Sequence, residues 1–270
     1  MENLKKKIQL LLNLYKSKNL SKAELLNKEL ISAHPKVVNL YNILGLILTS
    51  QKRLDEAIKS YEKGISIDPN SAEIYDNLGT VYKMQANYVK AENYYKKSIE
   101  LDNKIPEPQN NLGNLYLALN NHRDAIVYFK NSINISPKFF VSHYNLGVIY
   151  KNMGKLKEAK KYLMEAVKLN PHFYTAHRTL SDLTKYTIND EHFITLKKLY
   201  EDPKVSKTQK TELAFALGKA SDDTGNFSKA FQYYNVGNGL RRKDIDFSLK
   251  IEKEKFASIK KIFNENLFNK

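Results

Sequence analysis

The sequence predicts an all-α fold, a solenoid of antiparallel helix pairs, and three columns of residues predict it. Gly45, Gly79, Gly113 and Gly147 stand 34 residues apart, each preceded by a leucine (Leu44, Leu78, Leu112, Leu146). Ala57, Ala91, Ala125 and Ala159 keep the same interval. Pro35, Pro69, Pro137 and Pro171 share that register, with Asn103 in the one gap. A fixed period of this length marks stacked supersecondary units, because a single helix pair cannot bury its apolar face alone.

Each column has a physical role. Tyr75, Leu78, Val81 and Tyr82 recur at helical spacing and define a first helix. Ala91, Tyr94, Tyr95, Ser98 and Ile99 give the inward face of a second. The glycine of the first helix and the alanine of the second predict a close crossing, where a larger side chain would force the helices apart. The proline ends the second helix, since it lacks an N–H and disfavours helix in the residue before it. Asp68-Pro69-Asn70-Ser71 then turns the chain, and Asn70 or Ser71 is placed to cap the next helix.

The pattern Tyr75, Leu78-Gly79, Tyr82, Ala91, Tyr95, Ser98 resembles the tetratricopeptide repeat. That resemblance implies a right-handed superhelical solenoid (TPR) with a concave groove. It predicts five repeats over 4–173, at 4–37, 38–71, 72–105, 106–139 and 140–173. The first keeps Ala23 and Pro35 but places Leu11 at the glycine position. Residues 174–210 read as a degenerate repeat, with Leu180 and Ser181 at the Leu-Gly positions, followed by an irregular connection. A further repeat at 211–244 carries Leu217-Gly218, Ala230, Tyr234 and Gly237, and 245–270 reads as a C-terminal helix.

In this family the groove is lined by set positions of each first helix. The sixth reads Ile43, Asn77, Asn111 and Asn145. Neighbouring positions add Asp76, Thr80, Lys83, Asn110, Asn114, Tyr144, Val148 and Lys151. An asparagine amide offers both a donor and an acceptor, so a ladder of them can pair with a peptide backbone without reading side chains. The ladder is similar to that in the repeat region of protein O-GlcNAc transferases. Glu73, Asp76 and Glu107 occupy places where a basic clamp for a C-terminal carboxylate would need Lys or Arg, so that binding mode is not expected. The partner implied is therefore a protein or an extended peptide.

The C-terminal third carries a second resemblance. The order Leu213-Ala214-Phe215-Ala216-Leu217-Gly218-Lys219, Asp222-Asp223-Thr224-Gly225, Ala230-Phe231, Gly237-Asn238, Arg241-Arg242 resembles the junction in bacterial tetratricopeptide-fused sulfotransferases. It covers roughly 180–268 and implies a following catalytic domain that uses the sulfate donor PAPS. No Pro-x-Ser-Gly-Thr-Thr loop occurs in the chain, so no catalytic residue can be carried over. The chain is expected to be non-catalytic, either a scaffold or the recruiting part of an enzyme whose catalytic domain is absent or lost. Leu249, Phe256, Ile259, Phe263 and Leu267 form an apolar stripe expected to pack on the last repeat. Arg241, Arg242 and Lys243 read as a solvated face.

Composition narrows the remaining classes. There is no cysteine, which excludes disulfides, thiol catalysis and Cys-based zinc or iron–sulfur sites and fits a cytoplasmic location. The net charge is +15, but only five of the 44 basic residues are Arg and the lysines are scattered, unlike a phosphate-binding patch. Nucleic acid and membrane are not expected partners. Lys5-Lys6-Lys7 ahead of Ile8-Gln9-Leu10-Leu11-Leu12 reads as a helix rather than a targeting segment, because Gln9 and Asn13 interrupt the apolar run. His143 and His177 stand where Tyr41 and Tyr75 stand in other repeats, so they read as aromatic substitutes rather than metal ligands. Gly237-Asn238-Gly239 lacks the third glycine and the preceding strand of a phosphate loop. No metal or cofactor is expected, and a water-open groove is a poor place to shift a pKa.

Overall fold

A computed structural model describes residues 2–242 and 248–262. Lys243, Phe263 and Leu267 lie outside the described residues. The fold is all-α, with fifteen helices among the described residues, in two compact units, Met1–Leu169 and Asn170–Lys270.

The first unit holds α1 (Glu2–Lys16), α2 (Leu20–Ala33), α3 (Val38–Ser50), α4 (Leu54–Ile67), α5 (Ala72–Met84), α6 (Tyr88–Leu101), α7 (Pro106–Ala118), α8 (His122–Ile135), α9 (Phe140–Asn152) and α10 (Leu156–Leu169). They form five antiparallel pairs, and each second helix packs on the first helix of the next pair. The core runs along the stack through Leu48, Tyr61, Ile74, Leu78, Val81, Tyr95 and Leu112.

The glycine column makes room for a bulky side chain, a ring in three pairs and a leucine in the fourth. A Cβ on Gly79 would lie 2.6 Å from Tyr95, one on Gly113 2.7 Å from Phe129, and one on Gly147 2.5 Å from Leu163. The close approach is thus between the first-helix glycine and the side chain sixteen residues later, more than between the glycine and the alanine. In the first pair the sizes are exchanged. Leu11 stands at the glycine position and Asn27 at the ring position, both fully buried. The Asn27 amide finds no hydrogen-bond partner there.

Each link from a first to a second helix passes through a left-handed residue. Lys18, Lys52, Ala86 and Asn120 have φ of 59°, 62°, 58° and 58°, and Gly154 has 73°. They are 34 apart, and the next N–H closes back onto the helix, as from Asn87 to the Tyr82 carbonyl at 2.9 Å. This is the glycine-favouring C-terminal motif, occupied here by four other residues. A side chain in this conformation costs about 1–2 kcal/mol, against about 0.5–1 kcal/mol for the extra chain entropy of glycine. Ala86→Gly is therefore expected to raise stability by about 0.5–1 kcal/mol in urea denaturation, and a loss would contradict the assignment of strain.

The turn between pairs is held differently from expectation. Neither Asn70 nor Ser71 caps α5 through its side chain. Instead Asp68 accepts from the Asn70 N–H at 3.0 Å, an Asx turn that Asp102 repeats at Lys104 (2.9 Å).

The second unit holds α11 (Tyr174–Asp182), α12 (Glu191–Glu201), α13 (Lys207–Asp223), α14 (Phe227–Arg242) and α15 (Leu249–Ile262). The period breaks because α11 stops after nine residues and packs chiefly on α13, with α12 meeting it through His177 and His192. Ser181 donates to the Ala216 carbonyl at 3.2 Å. The connection 183–190 is pinned by Asp223, which accepts from the Tyr186 N–H at 3.0 Å and pairs with Lys219, while Lys219 also reaches the Thr184 carbonyl. Helix α13 starts in a capping box between Ser206 and Gln209. Gly237, Asn238 and Gly239 lie inside α14, so they form no loop. The expected packing of the C-terminal stripe is not seen, since Leu249, Phe256 and Ile259 are exposed. Arg241 and Arg242 are exposed as expected.

Candidate functional site

The three ladder asparagines are half-buried on α5, α7 and α9, and each is tied to the preceding first helix. Asn77 Nδ2 donates to Asn42 Oδ1 at 2.8 Å. Asn111 Nδ2 donates to both Asp76 carboxylate oxygens at 2.9 and 3.0 Å. Asn145 Nδ2 donates to Asn110 Oδ1 at 2.8 Å. Each amide thus commits one N–H to a staple between helix pairs and keeps its carbonyl oxygen and second N–H. Asn42 was not among the expected site residues, although it shares the column of Asp76 and Asn110.

The other groove candidates divide into two kinds. Asn110 is buried and accepts from both Ser142 Oγ (3.1 Å) and Asn145, so it is structural. Thr80 shares a hydrogen bond of 3.2 Å with the Tyr95 hydroxyl and faces the core. Lys83, Asn114, Tyr144, Val148 and Lys151 are half-buried on the first helices and remain candidates for contact. Burial holds the Lys83 ammonium below its ordinary range.

The groove does shift a carboxyl, contrary to the expectation for a water-open surface. Glu73, Asp76 and Asn77 of α5, Ser98 of α6 and Ile105 and Glu107 line one recess. Burial pushes Asp76 up to about 6, the hydrogen bond from Asn111 pulls against it, and the Glu107 and Glu73 carboxylates add to the rise. The recess is acidic in a strongly basic chain.

Each of the two histidines meets a proline carbonyl, though His143 Nδ1 is buried without a hydrogen-bond partner among the described residues. His143 Nε2 lies 2.9 Å from the Pro137 carbonyl, which Tyr41 matches by donating to the Pro35 carbonyl at 3.0 Å. His177 Nε2 makes the same contact with Pro171 at 2.9 Å. Its Nδ1 lies 2.8 Å from His192 Nε2, and His192 Nδ1 lies 2.7 Å from the Tyr186 hydroxyl. Burial lowers the His177 pKa, against the pull of the Pro171 carbonyl. Among the described residues no group of three or more His, Asp or Glu could hold a metal, and no helix is long and apolar enough to cross a membrane.

Comparison with known families agrees with the columns. A TPR repeat model matches residues 45–85 and 113–154, and tetratricopeptide repeat models match 72–105 and 140–173. Residues 45–105 and 113–173 are tetratricopeptide repeats. Repeats of this kind typically form non-catalytic scaffolds for protein–protein interaction. No curated protein matches the chain. Among solved structures it is similar to PilF of Pseudomonas aeruginosa, at 16% identity and TM-score 0.60 over 86% of this chain and 98% of that one. It is similar to the type IV pilus biogenesis factor PilW, at 17% identity and TM-score 0.59 over 94% and 98%. A tetratricopeptide repeat protein of Parabacteroides merdae matches at 18% identity and TM-score 0.55 over 94% and 97%. At these identities the likeness is one of fold.

Proposed function

We propose that this chain holds an extended peptide along the first helices of 38–173, with Asn77, Asn111 and Asn145 meeting the peptide backbone. The observation that carries this is the staple itself. One N–H of each amide is fixed to the preceding pair, so the free oxygen is held in place before a ligand arrives, which lowers the entropy lost on binding. The recess of Glu73, Asp76 and Glu107 supports a basic side chain in the peptide. A cytoplasmic setting belongs to the same proposal and rests on the absence of cysteine.

Isothermal titration against hits from a random peptide array tests it. Changing Asn77, Asn111 and Asn145 together to Ala is expected to weaken binding at least tenfold with helicity retained. Because the amides also join helix pairs, Val148→Arg provides a second test at a half-buried groove position. It should block the groove with an unchanged melting temperature. Unchanged affinity in both variants would refute the proposal.

The residue order of 213–242 supports one other role, as the substrate-recruiting part of a PAPS-dependent sulfotransferase. Its test is the reading frame beyond Lys270, which should run into a Ser-Gly-Thr-Thr loop.

A further inference from the structure

In three successive helix pairs a tyrosine of the second helix closes the furrow over the first. Tyr94 stacks on Tyr82 with ring centroids 5.2 Å apart and planes 4° apart. Tyr128 stacks on Tyr116 at 5.3 Å and 10°, and Tyr162 on Tyr150 at 5.6 Å and 17°. One period earlier, in α3–α4, the same two places hold Ser60 and Leu48. Ser60 turns its hydroxyl inward and donates to the Tyr41 carbonyl at 2.8 Å. The space filled by a ring in the next three pairs is left as an open furrow, floored by Tyr41, Leu44 and Leu48.

The rim of this furrow is cationic. Lys28, Lys59, Lys63 and Glu56 line it. Arg53 neutralises Glu56 through two hydrogen bonds of 2.7 and 2.6 Å. Lys28 is paired with Glu24 at 2.7 Å. Lys59 and Lys63, one turn apart on α4, have no ion-pair partner among the described residues. Like charges at this spacing repel each other, so carboxylates from outside are the complement they lack.

We propose that this furrow docks an acidic segment of a partner protein through one aromatic side chain. The ring takes the place of the missing tyrosine against Tyr41 and Leu48, and flanking carboxylates meet Lys59 and Lys63. The site shares no residue with the asparagine ladder or the acidic recess, so either surface can fail without the other.

The probe is a blocked Asp-Glu-Tyr-Asp-Glu peptide titrated into the full-length nitrogen-15-labelled chain. Two comparison peptides carry Ala for Tyr, or Lys for every acid. Amide shifts should centre on Tyr41, Leu44, Leu48 and Ser60, with at least tenfold tighter binding than either comparison peptide. Ser60→Tyr should close the furrow as in the following pairs and abolish these shifts. Lys59→Glu with Lys63→Glu, both at exposed positions, should weaken binding at least tenfold with unchanged circular dichroism. Equal binding of all three peptides, no shift at these residues at millimolar peptide, or full affinity in the charge-reversed variant would overturn the proposal.

Discussion

Gly79→Ala is expected to destabilise the first unit by about 2 kcal/mol, although alanine is the better helix former. The helix-propensity term favours the variant by about 1 kcal/mol. Against it, the new Cβ would lie 2.6 and 2.7 Å from ring carbons of Tyr95, which is 1% exposed and has no room to withdraw. Overpacking of this kind costs about 1–3 kcal/mol, and carbons this far inside van der Waals contact put it at the top of that range. Two further variants isolate the cause. Gly239→Ala, in α14 with nothing within 4 Å, should gain about 0.5–1 kcal/mol from propensity alone. In a Tyr95→Leu background the penalty of Gly79→Ala should fall by at least half, a coupling that urea denaturation of the four proteins measures. Equal effects at Gly79 and Gly239 would show that the column is not there for the ring.

Asp76→Asn is expected to stabilise the protein by about 2–3 kcal/mol at pH 7.5 and by almost nothing near pH 4. The Asp76 carboxyl is raised from 3.8 to about 6, chiefly by burial. A raised carboxyl binds its proton more tightly folded than unfolded, so stability increases as pH falls from above 6 towards 4. At neutral pH the ionised group therefore costs about 3 kcal/mol. Asparagine carries no charge, and it still offers Asn111 an amide oxygen, as Asn42 does for Asn77 and Asn110 for Asn145. Denaturation midpoints at the two pH values check the prediction, and an equal shift at both would refute it. If the acidic recess takes a basic side chain, the same variant weakens peptide binding while it strengthens the fold, the usual opposition between a binding site and stability.

The repeat was legible because its columns are set by side-chain size. Glycine under Tyr95 or Phe129 leaves a trace that a period search finds. The left-handed column was not legible, since Lys18, Lys52, Ala86 and Asn120 share only a backbone angle. The asparagine staples were half legible. Their members recur every 34 residues, but each bond joins residues 35 apart, so the period alone does not reveal the partners. The raised Asp76 carboxyl escaped because Ile105 and Glu107, which close its recess, come from the next helix pair. The end of α11 was hidden for a similar reason. Its connection is held by Lys219 and Asp223, some 35 residues further along the chain. Asp68 displaced Ser71 as the turn residue because its side chain reaches its own backbone two residues on.

The one-residue offset of the staples bears on how such an array changes length. Excising 72–105, a whole period, would bring Asn111 opposite Asn42 with the acceptor geometry of the Asn42–Asn77 pair. Inserting a copied period would likewise complete one staple on each side of the insert. Units 72–105 and 106–139 each carry both a donor amide and an acceptor, so copies of these two are compatible in register, whereas 38–71 has Ile43 in place of the donor and 140–173 has Tyr144 in place of the acceptor. Gain or loss of one of these two units leaves the joints chemically whole, whereas a shift of even one residue would strand an amide beside a mismatched neighbour.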